Sequence, residues 1–326
     1  MRQYSHLTLA EREDIMCLRR EGKNNTEIAR ETGRSKSTIS RELRRNSCAR
    51  SYRASTAQAR YEERRGACAR PRILDDPAAY ELVRDKFLGE QWSPEQIEGR
   101  LRLEGSALRV SDTTIYREIR AGRFDGELPG RKKASRRLRR RGKRRRGRGG
   151  AERRGKIRVS HEIGERPAEA EDRSRLGDWE ADTVAGKAGG ACLVTSVDRR
   201  SGYLVGGRAA RKASDEVGAV MRASLAGQPL ETVTSDRGKE FACHAGVTAE
   251  LGVEFYFCAP HCPWQRGTNE NTNGLLREYF PKGADMAGLD DGYIQEVYDK
   301  LNRRPRKRLG YRTPREVHFS EVLHLV

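Results

Sequence analysis

Three segments of the sequence carry carboxylates in a pattern that could hold a metal ion. They are W-E-A-D-T-V at 179–184, T-S-D-R-G-K-E-F at 234–241 and G-T-N-E-N at 267–271. The whole chain has a formal charge of +19, so acidic residues at the ends of predicted strands need a reason beyond solubility. A divalent cation held against a phosphate backbone is such a reason, because Mg²⁺ prefers oxygen ligands and keeps several of its waters.

Phosphoryl transfer is the chemistry that such acids serve, because it depends on metal ions held about 3.5–4 Å apart by a few carboxylates. Asp182 lies on a predicted strand, Asp236 follows a second strand, and Glu270 lies on a helix with Asn273 and Arg277 at helical spacing on one face. Asp178 and Glu180 share the strand face of Asp182, so periodicity alone does not choose among these three acids.

The composition points to a polyanionic partner. The 326 residues include 66 Lys plus Arg against 47 Asp plus Glu, and nucleic acid fits this excess better than a membrane, because no apolar run approaches about 18 residues. We therefore expect a soluble, cytoplasmic protein. Its seven cysteines are an odd number scattered along the chain, which favours reduced thiols. Cys258, His261 and Cys262, with Cys243 and His244 as further candidates, could bind zinc, but a strand end and its following loop is the simpler interpretation.

The elements that must position these acids lie after residue 170, where the pattern predicts alternating strands and helices. Short connections predict that the first three strands form an antiparallel meander, and the later strand-helix-strand segments predict parallel additions to the same sheet. This order is that of an α/β ribonuclease H-like domain, which we assign to residues 165–326. The predicted strands are 178–185, 191–198, 202–208, 230–235 and 253–258, and the predicted helices are 212–226, 240–251, 264–280 and 291–303.

Residues 1–50 predict a helix-turn-helix domain with three helices between Thr8 and Asn46. Ala29 lies where two helices approach closely, Gly33 lies in the turn, and Ile39 packs from the third helix. The first helix carries an apolar stripe of Leu9, Ile15 and Leu18. The residues expected to face outward, and to contact DNA, are Lys36, Ser37, Ser40, Arg41 and Arg44. A small helical bundle with an ordinary charged face is the alternative.

A second helical region is predicted over 51–128, with a possible further helix-turn-helix near 92–121. Ser93 and Ser111 are suitable helix caps, and Thr113, Thr114 and Arg117 are predicted to point outward toward DNA; the alternative is a purely structural helical pair. Residues 129–160 predict a flexible, extended linker. Thirteen of the eighteen residues from 131 to 148 are basic and none is acidic.

The acidic segments resemble the catalytic signatures of DDE transposases and retroviral-type integrases, in particular those of the IS-thirty family of bacterial insertion sequences. The third segment continues as P-W-Q-R-G-T-N-E-N-T-N-G over 263–274, and 33 residues separate Asp236 from Glu270, as is usual in that family. The segment L-N-R-R-P-R-K-R-L-G-Y-R-T-P at 301–314 is also similar. The resemblance covers the N-terminal helices and nearly all of 170–318.

The resemblance implies that Asp182, Asp236 and Glu270 form a catalytic, metal-binding triad for two Mg²⁺ or Mn²⁺ ions. It implies a nucleoid-associated transposase that binds the terminal inverted repeats of a mobile element in double-stranded DNA and joins the cut ends to target DNA, as a homodimer or larger assembly. Lys239 and Arg277 are predicted either to contact phosphates beside the metals or to form surface ion pairs. We interpret Trp264 as a packing residue at a helix start; the alternative is a base-stacking platform.

Two other functions fit the same residues. One is a catalytically silent DNA-binding regulator derived from a transposase, which the intact acids disfavour. The other is a metal-dependent nuclease that cuts without joining, which uses the same acids and metals.

Overall fold

The computed structural model divides into two compact units, Met1–Asp75 and Asp76–Val326. Most of the predicted basic linker, residues 140–158, lies outside the described part of the chain. None of the described helices combines the length and the apolar character that a membrane span requires. The structure describes residues 5–47, 51–68, 71–139, 159–260 and 262–326.

The first unit is all-helical and confirms the three helices predicted over 8–46. Thr8, Asn24 and Ser35 cap the first three helices by accepting hydrogen bonds from backbone amides of the first turn. A fourth helix follows, within the helical region predicted over 51–128. The helices are α1 (Leu9–Arg20), α2 (Asn25–Glu31), α3 (Lys36–Asn46) and α4 (Ala54–Ala67).

The core of this unit contains Ile15, Ala29 and Ile39, as predicted, and Gly33 has the positive φ of 65° that its turn requires. The prediction for Leu9 is wrong, because 44% of its surface is exposed. Arg12 takes the inward position on α1 instead, where its Nε donates to Glu42 Oε1 at 2.9 Å. The first turn of α1 therefore stays outside the core.

The second unit begins with helices and continues into a sheet with helices on both faces. Its helices are α5 (Pro77–Arg84), α6 (Pro94–Leu103), α7 (Asp112–Arg120), α8 (Ala168–Asp172), α9 (Ser214–Leu225), α10 (His244–Leu251), α11 (Gly267–Tyr279), α12 (Asp291–Asn302) and α13 (Pro314–Phe319). Its strands are β1 (His161–Glu162), β2 (Asp178–Ala185), β3 (Cys192–Asp198), β4 (Leu204–Ala209), β5 (Thr232–Ser235) and β6 (Glu254–Phe257).

The six-stranded sheet has the order β1-β6-β5-β2-β3-β4. Strands β2, β3 and β4 form the predicted antiparallel meander, and β5 and β6 add in parallel beside β2. This arrangement confirms the α/β ribonuclease H-like prediction. The sequence missed β1, because a strand of two residues is too short to show periodicity.

Each face of the sheet buries its own apolar cluster. On one face Trp179 and Val233 pack with residues of α9 and α10. On the other face Val184 and Val197 pack against α11 and α12, including Leu276. Asp182 has the same parity along β2 as Val184, so it faces the side of the sheet that α11 covers.

The predicted helical pair α6 and α7 begins at the expected caps, Ser93 and Ser111. Buried Arg100 of α6 forms a bidentate pair with Glu316 of α13, with Nη1–Oε2 and Nη2–Oε1 distances of 2.7 and 2.8 Å. Helices α6 and α7 are thus joined to the C-terminal segment of their own unit.

The described start of the predicted linker, residues 129–139, is not extended. It forms two short 3₁₀ turns, because Ala134 is buried and its amide donates to Asp125 Oδ1 at 2.7 Å.

Candidate active site

Asp182 and Asp236 come together at one edge of the sheet. Asp182 lies near the end of β2 and Asp236 directly follows β5, the parallel neighbour of β2. The guanidinium of Arg266 lies between them, with Nη1 3.4 Å from Asp182 Oδ1 and Nη2 3.1 Å from Asp236 Oδ2. The two carboxylates therefore share one cation.

Further hydrogen bonds fix the orientation of both carboxylates. Asp182 Oδ1 accepts from the amide of Thr183 at 2.8 Å, and its Oδ2 accepts from Asn273 Nδ2 at 3.1 Å. Asp236 Oδ1 accepts from the amide of Gly238 at 2.9 Å. Each aspartate side chain is nevertheless 26% exposed, so both remain accessible from solvent.

The electrostatics of the site favour a positive charge. Burial raises the pKa of the Asp182 carboxyl, the charge of Asp236 raises it further, and Arg266 opposes both effects. Burial alone would lower the pKa of Arg266, but the two aspartates raise it. Its buried Nε has no hydrogen-bond partner among the described residues. An all-oxygen site that holds a cation between two strands has the donor set that Mg²⁺ or Mn²⁺ uses.

Gly238 leaves room for the carboxylates of Asp236 and Glu240. A Cβ at this position would lie 2.8 Å from Asp236 Oδ1 and would also collide with the carboxylate of Glu240. A side chain here would therefore displace the aspartate.

Glu270 lies on α11 and is exposed. Across the described ranges, no three His, Cys, Asp or Glu side chains are grouped as metal ligands. Arg266 and Asn273, four residues before Glu270 and three after it, both contact the aspartates, so Glu270 starts from the same face of the helix. The structure thus brings two of the predicted acids together, and the convergence of Glu270 with them stays a prediction.

The carboxylates of Asp178 and Glu180 are not available to a metal ion. Both are fully buried. Glu180 Oε1 accepts from Arg199 Nη1 at 2.6 Å, and its Oε2 accepts from the amide of Asn269 at 2.8 Å. Asp178 pairs with Arg175 at 3.0 Å. Their partners make them part of the fold, as ordinary strand-end acids.

The sequence analysis missed Arg266, the residue that joins the aspartates. Its spacing carries a usable signal, because Arg266, Glu270, Asn273 and Arg277 recur every three or four residues and so occupy one helix face. Only the last three of these were grouped. Residue 266 lies in the 3₁₀ turn Pro263–Arg266 just before α11.

Comparison with known proteins places this geometry in a family. Residues 3–46 match a helix-turn-helix domain and residues 173–263 match an integrase core domain. The transposase for insertion sequence element IS4351 of Bacteroides fragilis is 38% identical over 327 residues, which cover 98% of this chain and 97% of that protein. The transposase InsI for IS30A of Escherichia coli is 38% identical over 97% of this chain and 84% of its own length.

The transposase for IS1086 of Cupriavidus metallidurans is 39% identical and covers 98% of this chain and 96% of that protein. The chain belongs to the IS30 family of transposases. Because the similarity spans almost the whole length of these relatives, it includes both the helical unit and the sheet with its aspartate pair.

The two predicted phosphate contacts of this transposase lie near the aspartates. Arg277 is half-buried on α11; burial lowers its pKa, and the charge of Asp182 opposes that shift. Lys239 is exposed, three residues after Asp236. Neither side chain forms an ion pair with the described residues, which disfavours the surface ion-pair alternative.

The interpretation of Trp264 as a packing residue is wrong, because 70% of its surface is exposed. It precedes α11 by three residues, near the start of the turn that carries Arg266.

The predicted outward residues of α3 are all exposed: Lys36, Ser37, Ser40, Arg41 and Arg44. In the second helical pair, Thr113 and Arg117 are exposed, but Thr114 is half-buried. Its Oγ1 lies 2.9 Å from Ser111 Oγ, so this hydroxyl serves the helix cap rather than pointing outward.

The cysteine cluster gives no support to a zinc site. Cys258 is buried, and burial raises the pKa of its thiol to about 11, which disfavours the thiolate that zinc requires. His261 lies outside the described residues. Cys243 Sγ donates to the carbonyl of Ser214 at 2.5 Å, and so is already engaged.

Proposed function

We propose that this protein is the transposase of a bacterial insertion sequence, which cuts DNA at the ends of its element and joins those ends to a target. Membership of the IS30 family supports this activity. The observation that carries the chemistry is the pair of aspartates from two neighbouring parallel strands, held around a single cation and open to solvent.

Asp182, Asp236 and Glu270 are the residues that would hold Mg²⁺ or Mn²⁺, two ions being expected. Metal bound there would supply Lewis acidity for reaction at a phosphodiester. The protein's own groups orient the ligands: Asn273 and the Thr183 amide fix Asp182, and the Gly238 amide fixes Asp236. The cations of Lys239 and Arg277 would position DNA phosphates beside the carboxylates.

The reaction proceeds in two displacements at phosphorus. Water attacks the phosphodiester at the end of the element, and the bond from phosphorus to the 3′ oxygen breaks, leaving a free 3′-hydroxyl. That hydroxyl then attacks a target phosphodiester in line, and a new bond forms as a target 3′ oxygen leaves. One bond is exchanged for another in the second step, so no external energy source is needed.

Recognition of the element ends is assigned to the helical modules. The exposed polar and cationic residues of α3 suit base edges and phosphates of the major groove, and Thr113 and Arg117 of α7 are candidates for a second contact. Two element ends must be handled together, so we assign the active form to a homodimer or larger assembly on DNA.

Replacement of Asp236 by Asn tests the mechanism. Strand transfer from end-labelled element DNA to a plasmid should be abolished, while binding to the element end and the melting temperature should be unchanged. Asp299→Asn removes the same charge from an exposed position of α12 and should leave transfer intact. Unchanged transfer by Asp236→Asn would remove the mechanism.

The same assay separates the two alternatives. Cleavage by the wild type without a joined product would favour a nuclease. End binding with neither cleavage nor joining would favour a regulator.

A further inference from the structure

A second charged site lies on the opposite side of α11 from the aspartates. A cavity of about 180 Å³ opens at the N-terminus of this helix, lined by Arg173, Thr268, Asn271, Arg306 and Arg308, among others. Positions 268 and 271 project from the helix roughly opposite to 266 and 273, which contact the aspartates. The cavity is therefore separate from the candidate active site.

The cavity contains hydrogen-bond donors without acceptors. Thr268 is only 8% exposed, and its Oγ1 has no hydrogen-bond partner among the described residues. The first turn of the 13-residue helix also lacks a side-chain cap from the residue before it, although the amide of Asn269 already donates to Glu180 Oε2 at 2.8 Å. A helix N-terminus attracts negative charge, and an unpaired buried hydroxyl is costly unless a ligand satisfies it.

Three guanidinium groups meet at this cavity without a neutralising acid. Within the described ranges, neither Arg173, Arg306 nor Arg308 forms an ion pair with a carboxylate. Arg306 and Arg308 donate only to the carbonyls of Leu301 and Arg200, at 3.1 and 2.8 Å.

The electrostatic cost of this cluster is visible in its pKa values. Burial, together with the charges of Arg304 and Arg308, lowers the pKa of Arg306 to about 9. Burial and the charge of Arg173 lower the pKa of Arg308. An anion in the cavity would relieve both the repulsion and the lost solvation.

Gly202 keeps the approach of Arg308 open. A Cβ at this position would lie 2.5 Å from Arg308 Nη2, and the φ of +75° also favours glycine. The backbone is thus shaped to let the guanidinium reach the cavity.

The cavity has room for about one phosphate group. The cationic cleft beside it favours a polymer that carries repeated phosphates. A larger cleft of about 660 Å³ shares Asn271, Arg306 and Arg308 with the cavity and adds Arg137, Arg139, Arg304 and Lys307. The buried Trp92 lines this cleft, and its Nε1 donor has no partner in the described part of the chain. Two of these cations are paired with acids, Lys307 with Glu95 at 2.5 Å and Arg304 with Glu278 at 3.1 Å. Successive cationic positions suit the repeated phosphates of a nucleic-acid backbone.

We propose that the cavity at the N-terminus of α11, formed by Arg173, Arg306, Arg308 and the Thr268 hydroxyl, binds a phosphodiester of the DNA backbone. This inference rests on the proposed DNA transposase function. The site anchors DNA on the face of α11 that points away from the carboxylates, and the adjoining cleft carries the strand onward.

Salt dependence of DNA binding tests the site, because each phosphate contact releases counterions. The double variant Arg173→Gln/Arg308→Gln, measured by anisotropy on a fluorescein-labelled random duplex, should lower the slope of log K against log salt by about 1. The control Arg102→Gln/Arg303→Gln removes two exposed arginines that do not line the cavity, and its slope should equal that of the wild type. An unchanged slope in the first variant, or an equal fall in both, overturns the proposal.

Thr268→Val separates a ligand contact from a structural one. DNA affinity should fall about tenfold, as expected for a lost hydrogen bond to a charged group. Stability without DNA should not fall, because the hydroxyl has no partner in the protein to lose. A loss of stability with no loss of affinity would show that Thr268 serves only the fold, and would overturn its assignment as a ligand.

Inorganic phosphate distinguishes a free anion from the DNA backbone. If phosphate raises the melting temperature of the wild type but Arg173→Gln/Arg308→Gln has a wild-type salt slope on DNA, the cavity binds a free anion and the proposal fails. Strand transfer by Asp236→Asn is the separate test of the proposed function, so the two failures are distinguishable.

Discussion

Strand β2 carries two kinds of carboxylate on one face. Asp178 and Glu180 are fully buried, and each is paired with its own arginine. Asp182, two residues further on, is a quarter exposed and shares Arg266 with Asp236, which follows the neighbouring strand β5. An acid with its own arginine partner is thus part of the fold, whereas an acid that shares one cation with a second acid stays available for chemistry.

The sheet itself creates this difference. Pairing between β2 and β5 ends at Glu180 and Thr234, so Asp182 lies beyond the last paired position. Asp236 follows immediately after β5, where the chain leaves the sheet. Crevices at the carboxyl ends of parallel strands are the usual ligand positions in open α/β sheets. The available acid is the one that reaches this crevice.

Asp182→Asn should produce the largest effect. Strand transfer should fall at least about a hundredfold, because a metal-holding charge that stabilises the transition state is lost. Stability should change by less than about 1 kcal/mol, because Arg266 keeps Asp236 and one of two like charges is removed. Transfer assays and urea denaturation check the two parts, and a variant that kept most of its activity would erase the distinction drawn along β2.

Glu180→Gln should show the reverse behaviour. It removes the close partner of buried Arg199 and leaves only Glu171, at 3.7 Å, so the free energy of unfolding should fall by about 3 kcal/mol. Activity of the folded fraction should survive. Urea denaturation beside a transfer assay at low temperature measures both, and an active-site role for Glu180 would appear instead as lost transfer with unchanged stability.

Arg266→Met tests the shared cation directly. Without metal, the two aspartates would face each other uncompensated, and we expect the free energy of unfolding to fall by about 1–2 kcal/mol. Mg²⁺ should then stabilise the variant more than the wild type, because the protein no longer supplies its own cation to the site. Thermal melts with EDTA and with Mg²⁺ check this. Equal Mg²⁺ shifts in both proteins would mean that Arg266 does not occupy the cation position.

Much of the fold was predictable because its signals are local. The five predicted strands between 178 and 258 form, and the helix caps Ser35, Ser93 and Ser111 lie where the sequence predicted them. The meander and the parallel additions followed from connection lengths. Helix α4 lies in the helical region predicted over 51–128, but its bounds were not predicted, because its sequence is polar at most positions and shows little apolar periodicity.

The site was less predictable, because its contacts join distant parts of the chain. Asp182 and Asp236 could be predicted as neighbours from strand order alone. Helix spacing groups Arg266 with Glu270, Asn273 and Arg277, but it does not tell which strands that face meets, so the position of Arg266 between the aspartates could not be predicted. The predictions that Leu9 and Trp264 would be packed were wrong for a related reason. An apolar residue at a helix start is buried only where a neighbouring element covers it. In α1 the covered position is that of Arg12, which pairs with Glu42.

Glu11 of the first unit is the intermediate case, a partly exposed acid with a dedicated partner, and should give the smallest effect. Hydrogen bonds from Arg34 lower the pKa of Glu11 from its usual 4.5 to about 2. Because the pKa of Glu11 is lower in the folded state, its ionised carboxylate stabilises the folded protein at pH values above about 4.5. This contribution is lost as the pH falls from about 4.5 toward 2. At neutral pH, Glu11→Gln should cost about 0.5–1 kcal/mol, since the pair is about a quarter exposed. The difference from wild type should vanish near pH 2. Hydrogen exchange of the α1 and α2 amides in the full chain measures it, with Glu13→Gln on the exposed face of α1 as the control. Identical pH profiles for the two variants would show that a surface partner, unlike the buried partner of Glu180, adds nothing to the fold.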